Sequence, residues 1–80
     1  MTVPVFVRFY DKIGDTLRGE IDLPETPLRE LRVLFDEISE DDVYGCYPVS
    51  DKEKDFILSK IPEFNFDFNL YDYFIEVRAG

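Results

Sequence analysis

The sequence predicts an α+β domain in which two helices cover one face of a three-stranded antiparallel sheet, in the order ββααβ. Three observations lead to this prediction. Two runs near the start of the chain alternate apolar and polar residues, as strands with one buried face do. Two later segments repeat apolar residues at helical spacing. Another alternating run closes the chain. A β-grasp-like topology is the alternative arrangement.

The strands are predicted from alternation and from the turn residues between them. The runs 3–10 and 16–23 flank a turn that contains Gly14, so they indicate an antiparallel hairpin. The last strand is expected over residues 70–78. The preceding segment, 63–70, alternates Phe and Leu with Asn and Asp, which are poor strand residues. We expect it to form an ordered aromatic loop or a short edge strand.

The first helix is expected to begin at Pro27 and to end near Ser39, with an apolar stripe that reaches Ile38. Residues 40–49 are expected to form an irregular connection. Ser50 and Glu53 match a capping box, and the second helix should run from there to about residue 61. The predicted core consists of apolar residues from all of these elements: Val5, Val7, Phe9, Leu17, Ile21, Leu31, Leu34, Phe35, Ile57, Leu58, Ile61, Ile75 and Val77.

Length and composition bound the function. Eighty residues, 1–80, make a single domain that is too small to enclose a large catalytic cavity. One cysteine, Cys46, cannot form an internal disulfide, and it is expected to be a small buried side chain. A chain with one cysteine, no recognisable signal peptide and no long apolar run is expected to be cytoplasmic.

The chemistry needed for catalysis is missing from the sequence. There is no histidine to act as a general base near neutral pH. There is also no glycine-rich phosphate loop and no zinc-type spacing of Cys and His. We therefore expect no catalytic residues, no cofactor, no metal site and no enzymatic activity.

Negative charge is the dominant feature of the composition. Eighteen acidic residues face nine basic ones, which gives a formal charge of -9. Such a surface repels nucleic acid and anionic lipid, so neither is an expected partner, and it attracts basic proteins. Five acids crowd into residues 36–42, next to a tyrosine that can add apolar contact. The predicted partner-binding residues are Asp36, Glu37, Glu40, Asp41, Asp42 and Tyr44.

Two alternatives accompany this interpretation. The acidic run could be an ordinary solvated helix end, and Tyr44 could cover the core. Phe56 lies off the apolar stripe of the second helix. It is expected either to be an exposed anchor or, preferably, to be covered by the aromatic segment 63–70.

Four segments of the chain resemble a group of small acidic bacterial proteins: IDLP (21–24), PLREL (27–31), YGCYPV (44–49) and FDFNLYDYFIE (66–76). Members of this group are similar to immunity proteins of contact-dependent inhibition and other polymorphic toxin systems. The resemblance implies a stoichiometric inhibitor of a toxin domain, commonly a nuclease. The negative charge indicates that this domain is basic, and the protein is expected to be a monomer or a weak dimer. The resemblance transfers no catalytic residue. An acidic adaptor or a nucleic-acid mimic without a toxin is the alternative function.

Overall fold

The architecture is a four-stranded antiparallel sheet with two helices. The structure, a computed structural model, describes residues 2–37 and 39–78, except for the side chains of Glu40 and Asp41. The strands lie in the order β2-β1-β4-β3. The elements along the chain are β1 (Thr2–Asp11), β2 (Leu17–Pro27), α1 (Leu28–Leu34), a single 3-10 turn (Glu40–Val43), β3 (Gly45–Pro48), α2 (Asp51–Lys60) and β4 (Tyr71–Val77). The α+β class and the antiparallel sheet are confirmed.

The predicted strand count and order are wrong, because β3 lies inside the segment expected to be irregular. This strand has only four residues, which include Gly45 and Pro48, so it carries no local strand pattern. It forms by pairing with β4, where Tyr47 faces Ile75. The observed order is therefore ββαβαβ. A β-grasp pairs its first and last strands in parallel, whereas β1 and β4 are antiparallel here, so the sheet differs from that alternative too.

Both helices cover the same face of the sheet. Leu31 of α1 and Ile57 of α2 join one buried cluster with Val5, Val7 and Ile75 of the central strands. Among the predicted core residues, the structure buries Val5, Val7, Leu31, Phe35, Ile57, Ile75 and Val77. Phe9, Ile21, Leu34, Leu58 and Ile61 are half-buried. Val3, Leu23, Leu28, Val43 and Tyr73 are buried as well but were not among the predicted core residues, although alternation and helical spacing place Leu23, Leu28 and Tyr73 on the buried faces.

The prediction that Leu17 belongs to the core is wrong, because a bulge in β2 changes its side of the sheet. Phe9 pairs with Gly19 but Tyr10 pairs with Leu17, so β2 contains one extra residue at this point. Leu17 is consequently 48% exposed. Gly19 makes room for the Phe9 ring, since a Cβ there would lie 2.6 Å from Phe9 Cε1.

The segment 61–70 forms turns and irregular backbone, which confirms the aromatic-loop alternative. Its rings surround Tyr73 of β4: the Phe66 and Phe68 centroids lie 5.0 and 5.2 Å from the Tyr73 centroid. The Asp67 backbone N–H donates to the Tyr73 hydroxyl at 2.9 Å. A buried tyrosine therefore organises a segment whose own residues disfavour a strand.

The capping box at the start of α2 is confirmed. Ser50 donates its backbone N–H to Glu53 Oε1 at 3.0 Å and also donates its hydroxyl to that oxygen. Burial alone would raise the pKa of Glu53, but these hydrogen bonds outweigh burial and hold the pKa below its usual value. The carboxylate therefore stabilises the folded chain in its ionised form.

Glu53→Gln is expected to lower the free energy of unfolding by about 1 kcal/mol near neutral pH, because a neutral amide accepts these hydrogen bonds less strongly. A depressed folded-state pKa gives stability that is present above the unfolded pKa of about 4.3. That stability is lost as the pH falls through the folded value. Urea unfolding at about pH 7 and about pH 3 should therefore show a difference between the two proteins that shrinks in acid. A pH-independent difference would contradict this assignment.

Candidate protein-binding site

The acidic loop, residues 36–42, begins where α1 ends, and α1 ends earlier than predicted. The helix stops at Leu34 rather than near Ser39. Asp36 adopts a left-handed conformation with φ 56°. Its N–H donates to Val33 O at 3.3 Å, and the Glu37 N–H donates to Arg32 O at 2.9 Å. These two bonds form a Schellman motif. Ile38, the predicted end of the apolar stripe, lies outside the described residues.

The far end of the acidic loop is fixed by the core. Val43, which ends the 3-10 turn, is fully buried. The Tyr47 hydroxyl donates to the Asp42 backbone oxygen at 2.8 Å. The ring of Tyr47 stacks on that of Phe35 with centroids 3.7 Å apart. Anchors from α1 and β3 thus hold the two ends of the loop in a defined shape.

The structure brings together three of the predicted binding residues. Asp36 and Asp42 are exposed, and Glu37 is half-buried. Burial raises the pKa of the Tyr47 phenol, and the negative charges of Glu37 and Asp42 raise it further. The side chains of Glu40 and Asp41 lie outside the described residues.

Tyr44, the sixth predicted binding residue, is half-buried and packs against the core cluster. Its ring therefore covers the core, as one of the two alternatives expected. Only part of the ring remains accessible. Tyr44 can add only a small apolar area to a contact made by the loop.

The charge of the acidic loop is not compensated within the part of the chain that the structure describes. Ion pairs there join Arg8 to Glu20 and Glu76, at 2.7 and 3.0 Å, on the sheet face opposite the helices. The remaining pairs are Lys12–Asp72, Arg18–Asp11, Lys60–Glu30 and Arg78–Glu76. None of these described pairs includes Asp36, Glu37 or Asp42. Asp36 and Asp42, which are exposed, therefore present their carboxylates to solvent.

Asp36→Gly is expected to raise the free energy of unfolding by about 0.5–1 kcal/mol. A left-handed conformation costs an L-residue roughly 1–2 kcal/mol, and the greater freedom of glycine in the unfolded chain offsets about 0.5–1 kcal/mol of that gain. Thermal and urea unfolding measure the change. Asp36→Asn is the matched control, because it removes the charge but keeps a side chain in this conformation. Destabilisation by glycine would contradict the helix end described here.

The prediction of a buried Cys46 is wrong: its side chain is exposed. The reason is strand alternation, because neighbouring Tyr47 turns towards Phe35 in the core and Cys46 consequently faces the uncovered side of the sheet. Partial burial raises the pKa of the Cys46 thiol, and the Glu76 carboxylate raises it further. A raised pKa lowers the thiolate fraction and makes this thiol a poor nucleophile.

A groove between the two helices was not predicted from the sequence. Arg29, Arg32, Val33, Leu34 and Phe56 line an open cleft of about 480 Å³, together with Glu30. Phe56 is half-buried there, with Lys60 Nζ 5.5 Å from its ring centroid. The rings of segment 63–70 surround Tyr73, and none of the described ring pairs includes Phe56, so coverage of Phe56 by Phe64 to Phe68 stays a prediction. The available signal was Val33, an apolar residue outside the predicted stripe that lies next to Arg32 and four residues after Arg29.

The described residues offer neither a cluster of metal ligands nor a membrane-spanning helix. They contain no group of three or more His, Cys, Asp or Glu side chains arranged to hold a metal ion. No helix in the described part of the chain has the length and apolar character needed to cross a membrane.

Comparisons with known proteins give a family and no named relative. No curated protein matches the chain. The family model described as Domain of unknown function (DUF7683) matches residues 4–76. Because this match spans nearly the whole chain, the protein belongs to the DUF7683 family.

Proposed function

We propose that this protein is a non-catalytic inhibitor of immunity type, which binds a basic toxin domain and blocks its active site or substrate path. The observation that supports the proposal best is the acidic loop. Asp36, Glu37 and Asp42 carry charge that no described basic side chain neutralises, on a backbone held at both ends. A rigid, uncompensated acidic surface is complementary to the cationic cleft with which a nuclease holds nucleic acid.

Stability does not account for acids in these positions. Asp36 occupies a left-handed site that glycine would fill at lower cost. It also follows the C-terminus of α1, where the helix dipole disfavours negative charge by about 0.3–1 kcal/mol per residue. A side chain kept against both effects is consistent with selection for binding.

The mode of action we propose requires no chemistry from this chain. Long-range attraction between the acidic loop and a basic domain speeds their encounter. The carboxylates then occupy the place of substrate phosphates, and the loop backbone excludes the substrate sterically. A fixed loop loses little conformational entropy on binding, and this favours high affinity.

Co-expression with a toxin domain that a neighbouring gene encodes, where one is found, tests the proposal. We expect growth of the host to be rescued and the two purified proteins to form a one-to-one complex in which toxin activity is lost. A neighbouring gene without a toxin domain would instead favour an acidic adaptor. Failure of rescue together with absence of a complex would refute the immunity role.

A further inference from the structure

The groove between α1 and α2 differs in sign from the rest of the surface. Arg29 and Arg32, both exposed, line it without an ion pair to any described carboxylate. Lys60 reaches Glu30 at 3.7 Å while its ammonium lies over the Phe56 ring. The cleft therefore carries net positive charge on a protein whose formal charge is -9.

Helix stability does not account for these two arginines together. Arg29 lies in the first turn of α1, where the helix dipole disfavours a cation. Arg29 and Arg32 are three residues apart, so they are neighbours of like charge on one helix face. Val33, which follows Arg32 and lies four residues after Arg29, also lines the groove and is 77% exposed. A bound segment would cover this exposed apolar side chain and neutralise two cations that pair with no described carboxylate.

We propose that this groove binds a short acidic segment of a partner protein, anchored by at least one large apolar side chain. Carboxylates of the segment pair with Arg29 and Arg32, in the bidentate geometry that guanidinium favours. The apolar side chain covers Val33 and packs against the half-buried Phe56 ring. The groove thus forms a second recognition surface, opposite in sign to the acidic loop.

A protein segment fits this site better than a phosphate polymer does. The N–H groups of Asp36 and Glu37 bond to the carbonyls of Val33 and Arg32, so the acidic loop directly adjoins the groove. A nucleic acid or an anionic membrane would be repelled by that loop wherever it extends beyond the groove. A short segment with a few carboxylates and an apolar anchor avoids this repulsion.

Selection from a random 12-residue peptide display library, without any assumption about the partner, tests the proposal. We expect recovery of peptides that combine Asp or Glu with Phe, Trp, Leu or Ile. The Arg29→Glu, Arg32→Glu double variant should bind them at least about tenfold more weakly. Its fold should persist, because glutamate is favourable in the first turn and unfavourable in the last, so the two dipole effects oppose each other. Circular dichroism checks this.

The matched control is Lys52→Glu with Lys54→Glu, an equal charge change on α2 outside the groove. We expect this control variant to retain peptide binding. Amide chemical-shift changes should map the bound peptide to Val33, Leu34 and Phe56. The proposal is overturned if the library yields no acidic-apolar peptides, or if both double variants weaken them equally. It is also overturned if a single-stranded oligonucleotide or vesicles of phosphatidylserine bind the groove more tightly than the peptides do.

If the library yields only basic peptides that bind the acidic loop, the result supports the proposed function and overturns the proposal for the groove. Success and failure at the two surfaces are therefore separable in the same experiment, because the variants at each surface affect different peptide classes.

Discussion

Leu31→Ala is expected to lower the free energy of unfolding by about 2–5 kcal/mol, because it leaves a cavity between α1 and the sheet. Leu31 has no solvent exposure and is among the largest fully buried side chains. A domain of this size has a total stability of about 5–15 kcal/mol, so the variant should be partly unfolded at moderate temperature. Urea unfolding followed by circular dichroism measures the change. Ile75→Ala, in β4, should behave similarly.

The same helix offers the control for this prediction. Val33 is two residues away from Leu31 but largely exposed, so Val33→Ala should change the stability by less than about 0.5 kcal/mol. Equal effects of the two substitutions would show that α1 does not present Leu31 to the core.

Under the proposed function, Asp36→Lys combined with Asp42→Lys is expected to slow association with a basic toxin domain by roughly tenfold or more, because charge steering acts mainly on the association rate. The effect should fade as salt shortens the Debye length from about 10 Å at 0.1 M to about 3 Å at 1 M. Stopped-flow or surface-binding kinetics at two salt concentrations measure it. Cells that express the toxin should also lose protection.

Asp22→Lys with Asp55→Lys is the matched control, since it makes the same change in net charge at exposed positions on β2 and α2. Steering by total charge alone would slow both variants equally. Unchanged association and protection in the folded loop variant would show that the acidic loop is only a solvated surface. Thermal unfolding of each variant establishes that the fold is retained.

Local patterns in the sequence account for much of the fold. Alternation predicts the first hairpin, and it places Val5 and Val7 on the buried face. The capping box predicts the start of α2, because Ser50 and Glu53 interact across a single turn. These predictions succeed because the patterns on which they rest, alternation along a strand and a cap across one helical turn, are local in the chain.

The sequence also determines the charge of the candidate binding surface at the acidic loop, but it does not determine the shape of that surface. The excess of acids in residues 36–42 can be counted directly. The bond that fixes the loop at Asp42 comes from Tyr47 of β3, which carries no strand pattern and forms only by pairing with β4. The groove likewise requires α1 and α2 to lie side by side, so that Val33 and Phe56 share one cleft.

The remaining differences between the predicted and the observed fold also arise from contacts between residues that are distant in sequence. Leu17 changes sides because of a bulge in the pairing of β2 with β1. The first helix ends at Leu34, where Phe35 turns into the core and stacks on Tyr47. Composition and short-range spacing thus determine the class of fold, most of the core and the sign of the surface. Contacts between residues distant in sequence decide whether β3 forms, where α1 ends and what shape both candidate binding surfaces take. The energy of these contacts exists only once the chain is folded.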